Sequence, residues 1–142
     1  MPKATVKKSE GADNVPKFCY TGTGSSRTLV LAATPEACAV AAAASLQTDR
    51  LAKSAEMAER EARRACRGQL TEELILANSQ LQFGKYRGKT FRWLLENDVG
   101  YAVGLVSSIE READSGSRHP LNVNKRKFVD YAHLFPAMAV EL

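Results

Sequence analysis

The sequence predicts a mostly helical α+β fold: a small hairpin-like strand pair with three short helices, preceded by a long alanine-rich helix and a disordered N-terminal arm. Three observations predict it. Only Phe18 and Tyr20 represent the aromatics before Leu81, whereas Phe83, Tyr86, Phe91, Trp93, Tyr101, Phe128, Tyr131 and Phe135 follow it. Aromatic side chains supply the most burial per residue, so the core belongs to the second half. The middle of the chain is built of strong helix formers, with acid-to-base pairs at i,i+4 in the favourable direction at Asp49/Lys53, Glu56/Arg60 and Glu59/Arg63. The first 27 residues mix Lys, Ser, Gly, Thr and Asn with few apolar side chains, a composition that does not offset the entropy of ordering. At 142 residues the chain fits one ordinary domain or a minimal domain with a separate extension, and the aromatic distribution favours the second.

In chain order, residues 1–33 form the basic arm, within which Leu29, Val30 and Leu31 make either a short strand or a docking strip. Thr34 is an N-cap, Pro35 suits the first helical position and Glu36 complements the positive helix end, so a helix is expected from Pro35 to about Arg67, stopped by Gly68. Ala44, Leu51, Ala55, Ala58, Ala62 and Ala65 share one stripe of it. That stripe permits a close-packed protein partner or loose docking on the chain's own domain, but alanine buries too little area to drive a strong coiled coil, and a solvated, partly frayed helix is the alternative. Residues 68–80 are a linker holding a short helix from Thr71 to about Asn78. From Leu81 the pattern changes. Leu81 and Phe83 alternate in strand fashion, Gly84 and Gly88 mark a turn, and Thr90 caps a helix from Phe91 to about Asn97. Asp98 caps the next, in which Val99, Ala102, Val103, Val106 and Ile109 recur at helical spacing to about Glu112. After a loop at 113–120, Asn122 or Asn124 starts a helix whose Phe128, Tyr131, Ala132 and Phe135 line one face. Pro136 closes the module of residues 81–136, and 137–142 are a tail.

Composition narrows the function. The net charge of +4 is carried by the ends: five Lys/Arg against two acids in 1–27 and nine against six in 81–135, with six against seven between them. This permits contact with an anionic polymer without demanding it. Cys19, Cys38 and Cys66 are widely spaced and odd in number, so a disulfide framework or zinc site is not expected, and reduced thiols place the chain inside the cell. Thr34, Pro35 and Glu36 interrupt the apolar run from Thr28 to Leu46, which leaves no span of the ~20 residues a bilayer needs. His119 and His133 have no paired acid or nucleophile at readable spacing and read as surface or helix-end residues. No metal or cofactor is called for.

The segment Gly84-Lys85-Tyr86-Arg87-Gly88-Lys89-Thr90 invites comparison with a phosphate-binding P-loop. Only three residues separate Gly84 from Gly88-Lys89-Thr90 where four are required, and Phe83 holds the glycine position that spacing would need. Loop length sets where the backbone N–H groups point, so nucleotide hydrolysis is not expected. The segment reads better as a basic and aromatic ribbon, in which Lys85, Arg87, Lys89 and Arg92 contact phosphates and Tyr86 stacks on a base, as in single-stranded nucleic-acid sites; the alternative is that Tyr86 is a turn residue and the cations are solvated. Phe83, Phe91 and Trp93 are expected in the core, with an exposed stacking role as the alternative for Trp93. The run Asn124-Lys125-Arg126-Lys127 is a phosphate contact, a nuclear address or a solvated helix start.

These residues carry a resemblance. Phe83-Gly84-Lys85-Tyr86-Arg87-Gly88-Lys89-Thr90, followed by Trp93-Leu94-Leu95-Glu96-Asn97-Asp98 and Gly100-Tyr101, resembles the small C-terminal module of exonuclease X-like proteins over about Leu81 to Ile109. There a Phe-Gly-Lys-Tyr/His-Lys-Gly-Lys stretch precedes a helix and an Asp-x-Gly-Tyr segment, often beside a nuclease domain. Arg87 stands where lysine is common, and Gly104 where a bulky residue is often found. The resemblance implies a nucleic-acid-associated accessory role. The catalytic half of the family, with its Asp-x-Glu metal motif, is not in this chain, so no enzymatic activity is expected. The expectation is a non-catalytic nucleic-acid-binding module, its ligand including single-stranded DNA. The alternative is a protein-interaction adaptor that uses the alanine-striped helix 35–67.

Overall fold

The computed structural model describes residues 16–22, 27–44, 53–66, 70–112 and 119–142. They form two short strands, β1 (Tyr20–Thr21) and β2 (Thr28–Leu29), and seven helices: α1 (Pro35–Ala44), α2 (Ala55–Ala65), α3 (Glu72–Ala77), α4 (Phe91–Asn97), α5 (Val99–Arg111), α6 (Pro120–Ala132) and α7 (Pro136–Ala139). The strands pair antiparallel, Tyr20 opposite Leu29 and Thr21 opposite Thr28. The fold is thus mostly helical α+β. Among the described residues no helix is long and apolar enough to cross a membrane.

Local chemistry sets most helix starts. Side chains of Thr34, Ser54, Thr71, Thr90 and Asp98 accept a hydrogen bond from the backbone N–H three residues on, at Ala37, Met57, Leu74, Trp93 and Tyr101. Each satisfies a donor that the first helical turn leaves without a partner. Helix α6 starts at Pro120 rather than at Asn122 or Asn124. Proline at the first helical position loses no hydrogen bond, and His119 Nδ1 accepts from Leu121 N–H in front of it.

The apolar faces meet in one core. Helix α5 packs along α6, α4 bridges both, and α3 lies against α4 and α6. Phe91 of α4 makes an edge contact with Phe128 of α6, and Tyr131 with Phe135, at centroid separations of 5.3 and 4.9 Å. Leu94, Leu95, Val99, Ala102 and Val106 complete it.

Four boundaries differ from the sequence expectation. The arm at 1–33 does not hold for its described part: Phe18 and Leu29 are buried in the core, Phe18 against Phe135. Hydrogen bonds fix this segment to the α4–α5 junction: Lys17 N–H donates to the Glu96 carboxylate, Thr34 N–H to Asn97 O and Gly100 N–H to Leu31 O. The strand pair lies here, not at 81–90, where a single bridge joins Gln80 and Thr90. The helix expected over 35–67 is interrupted: Lys53 and Ser54 are non-helical, Ser54 being extended (φ −61°, ψ 157°) as the cap of α2. The intervening 45–52 lie outside the described residues, as do 1–15 and most of the loop at 113–120. The tail is part of the core, since Met138 of α7 is fully buried. Helix α2 packs on α3 and α6, and its alanine stripe turns Ala62 into the chain's own domain.

Candidate nucleic-acid interface

The loop from Gln80 to Thr90 is closed at its base by backbone hydrogen bonds. Leu81 N–H donates to Lys89 O and Gly88 N–H to Leu81 O, both at 2.9 Å, while Phe91 N–H donates to Ser79 O at 2.8 Å. Helix α6 grips the same base through Asn124, whose Nδ2 donates to Gln80 O (2.9 Å) and whose Oδ1 accepts from Gln82 N–H (3.0 Å). Asn124 stands four residues before Phe128 on the buried helix face. A buried amide there needs partners, and the loop backbone supplies them. Its position on the apolar face is the sequence signal that could have identified it.

The glycines have steric causes. Gly84 has φ +76°, and a Cβ there would lie 2.6 Å from the Tyr101 hydroxyl. Gly88 has φ +92°, a backbone conformation that side chains disfavour.

Tyr86 is the centre of the loop and is 1% exposed. Its hydroxyl donates to Asp98 Oδ2 at 2.5 Å, while Asp98 Oδ1 accepts from Tyr101 N–H at 3.1 Å. One carboxylate therefore locks the loop and starts α5. Burial first, and then the hydrogen bond and negative charge of Asp98, push the Tyr86 phenol well above its ordinary range. Burial followed by the Asp98 charge also raises Tyr101, against which the Lys85 backbone N–H acts in the opposite direction. The ring of Tyr86 is flanked by edge contacts with Trp93 at 5.3 Å and Tyr101 at 5.1 Å. The expectation that Tyr86 stacks on a base is therefore corrected: it is a core residue, because its phenol is the partner that a buried carboxylate requires.

The expected cations divide into two sets. Lys85 is exposed, with its ammonium 4.9 Å from the Tyr101 ring centre and 5.3 Å from that of Tyr86. Lys89 lies 5.2 Å over the Trp93 ring. Arg87, half-buried, follows Tyr86 in the same turn. Arg92 is instead held one helical turn from Glu96, at 3.2 Å, and faces a carboxylate. Phe91 is in the core as expected. Phe83 and Trp93 are only half-buried, Phe83 beneath Lys125 at 5.9 Å and Trp93 with its indole N–H donating to Glu36 at 3.0 Å.

The run 124–127 is folded into the domain. Lys125 pairs with Glu112 and Lys127 with Glu59, while Arg126 donates to Ile109 O and Glu112 O at the end of α5. A hydrogen bond from Arg63, then the charge of Lys127, hold Glu59 below the usual carboxylate range against the effect of its partial burial. His133 lies 2.8 Å from Glu110 at the end of α6. Cys19, Cys38 and Cys66 are not joined to one another. Among the described residues no cluster of His, Cys, Asp or Glu has a metal-holding arrangement. The chain matches no protein-family model, no curated protein and no solved structure.

Proposed function

We propose that the chain is a non-catalytic nucleic-acid-binding accessory module that presents Lys85, Arg87 and Lys89 to phosphates from the loop 80–90. One observation carries this reading. The Tyr86–Asp98 lock and the Asn124 clamp hold a turn whose inward residue is Tyr86, on either side of which the chain places a cation. Lys85 and Lys89 rest on aromatic rings and have no carboxylate within ion-pair distance among the described residues. A rigid turn that spaces cations costs little entropy to bring against a polyanion. Arg92 belongs to the edge of this surface, since its contact with Glu96 must be exchanged before it meets a phosphate. An intracellular location, the nucleus included, goes with such a ligand.

An adaptor role through the alanine-striped helix has less support, because Ala37 and Ala62 are buried against the chain's own domain. Replacing Lys85, Arg87 and Lys89 together with Gln tests the proposal. Fluorescence anisotropy with a labelled single-stranded oligonucleotide should show weaker binding, and the plot of log affinity against log salt should flatten by roughly two units, at about 0.7 per phosphate contact. The circular dichroism spectrum should not change. Absence of binding by the unsubstituted protein at low salt would remove the reading.

A further inference from the structure

We infer that Trp93 and Tyr101 form a paired stacking platform for neighbouring bases of single-stranded nucleic acid, uncovered when Lys89 and Lys85 move from the ring faces to phosphates. The inference rests on the phosphate-binding reading above and names what that surface does with the bases.

Three rings meet beneath the loop, and they are not equivalent. Tyr86 is closed in by its neighbours. Trp93 and Tyr101 each make an edge contact with it at about 5 Å and so lie within about twice that distance of each other. Both are half-buried, and each has a lysine ammonium over its face. What covers a ring decides whether it can open. A face packed by core side chains stays shut, whereas a face covered by a flexible, solvated lysine is uncovered when that side chain rotates. A strand brings both changes together, because its phosphates attract the ammonium groups and its bases take the vacated faces.

The rings are also held still. The Trp93 indole N–H is bonded to Glu36, and the Tyr101 oxygen lies against the loop at Gly84 and Lys85. Stacking on fixed rings loses little side-chain entropy. A duplex keeps its base faces stacked on one another, so this platform selects single strands. Since every base has a π-face, the preference among sequences is weak.

The test uses the full chain and three labelled probes: an oligothymidylate of about twelve nucleotides, an abasic strand with the same number of phosphates, and the corresponding duplex. Trp93 is the single tryptophan, so its fluorescence reports on one ring of the platform. The expected result is roughly five- to hundred-fold tighter binding of the oligothymidylate than of the abasic strand, with quenching of Trp93 by the first alone. Tyr101→Leu should bring oligothymidylate affinity down toward the abasic level with the salt slope unchanged, and Tyr101→Phe, which keeps the ring, should retain it. Equal affinity for the two strands without quenching would overturn the platform and leave the phosphate reading standing. Failure of all three probes to bind at low salt would overturn both. Should Tyr101→Leu unfold, the comparison of the two strands on the unsubstituted protein decides.

Discussion

Two tyrosines offer the same substitution with opposite expected effects. In Tyr86→Phe the ring and its contacts with Trp93 and Tyr101 stay, but Asp98 Oδ2 loses its donor at a site where Asp98 is only 6% exposed. A hydrogen bond to a charged acceptor contributes about 1.5–3 kcal/mol, and leaving that acceptor buried places the cost at the upper part of this range. In Tyr131→Phe the hydroxyl removed is fully buried and has no hydrogen-bond partner among the described residues. Its removal relieves a desolvated dipole, so the variant should match the original protein or exceed it by up to about 1 kcal/mol. Urea unfolding followed by far-ultraviolet circular dichroism and Trp93 fluorescence would measure both. With slopes of about 1–3 kcal/mol per molar urea, the two midpoints should separate by roughly 1 M or more. A cycle with Asp98→Ala isolates the pair, since that variant also loses the α5 cap, and the Tyr86–Asp98 coupling should exceed about 1 kcal/mol. Equal midpoints for the two Tyr→Phe variants, or a coupling near zero, would refute the account of the loop.

Gly100→Ala should free the segment around Leu31, because the added Cβ would lie 2.8 Å from the Leu31 carbonyl oxygen. A loss of about 1–3 kcal/mol and faster proteolysis between residues 28 and 44 are expected, and unchanged proteolysis would count against that docking. Deleting residues 1–33 should lower stability by at least ~3 kcal/mol, since Phe18 and Leu29 each contribute about 1.5–3 kcal/mol of burial, and an unchanged melting temperature would contradict it. Alkaline pH should destabilise the fold. Tyr86 and Tyr131 are raised above the ordinary tyrosine value of 10.0, both chiefly by burial, so the unfolded chain releases their protons first. The stability of the neutral buried phenols is complete below pH 10 and falls above it by about 1.4 kcal/mol per pH unit for each residue. The double Tyr→Phe variant should flatten that decline in unfolding curves between pH 9 and about 12.

What the sequence made legible is mostly what one helical turn decides. Thr34, Thr71, Thr90 and Asp98 cap helices because the partner N–H is three residues away, and the burial of Phe91, Phe128 and Tyr131 follows from helical spacing. Ser54 has the same chemistry, but the helix-forming residues on both sides of it hid the interruption. The remaining differences are long-range. Leu29, Val30 and Leu31 read as a strand or a docking strip, but no local pattern names the α4–α5 junction as the dock or marks Phe18 as part of it, and none ties Asn124 to the backbone of Gln80 and Gln82. Tyr86 shows the limit most plainly: lysine, tyrosine and arginine in succession suggest a ribbon facing phosphates, and only the contact with Asp98 twelve residues on turns the middle side chain inward.

The docking of the first strand pair has a consequence for synthesis on the ribosome. Lys17 meets Glu96 across 79 residues of chain, and Thr34 meets Asn97 across 63. At roughly 5–20 residues per second, the N-terminal segment leaves the exit tunnel several seconds before its docking site does. During that interval Phe18 and Leu29 have no native surface to cover them. A nascent chain held shortly before α4 is complete would therefore expose these two side chains to chaperones, and one released with Phe135 in place to pack on Phe18 would not.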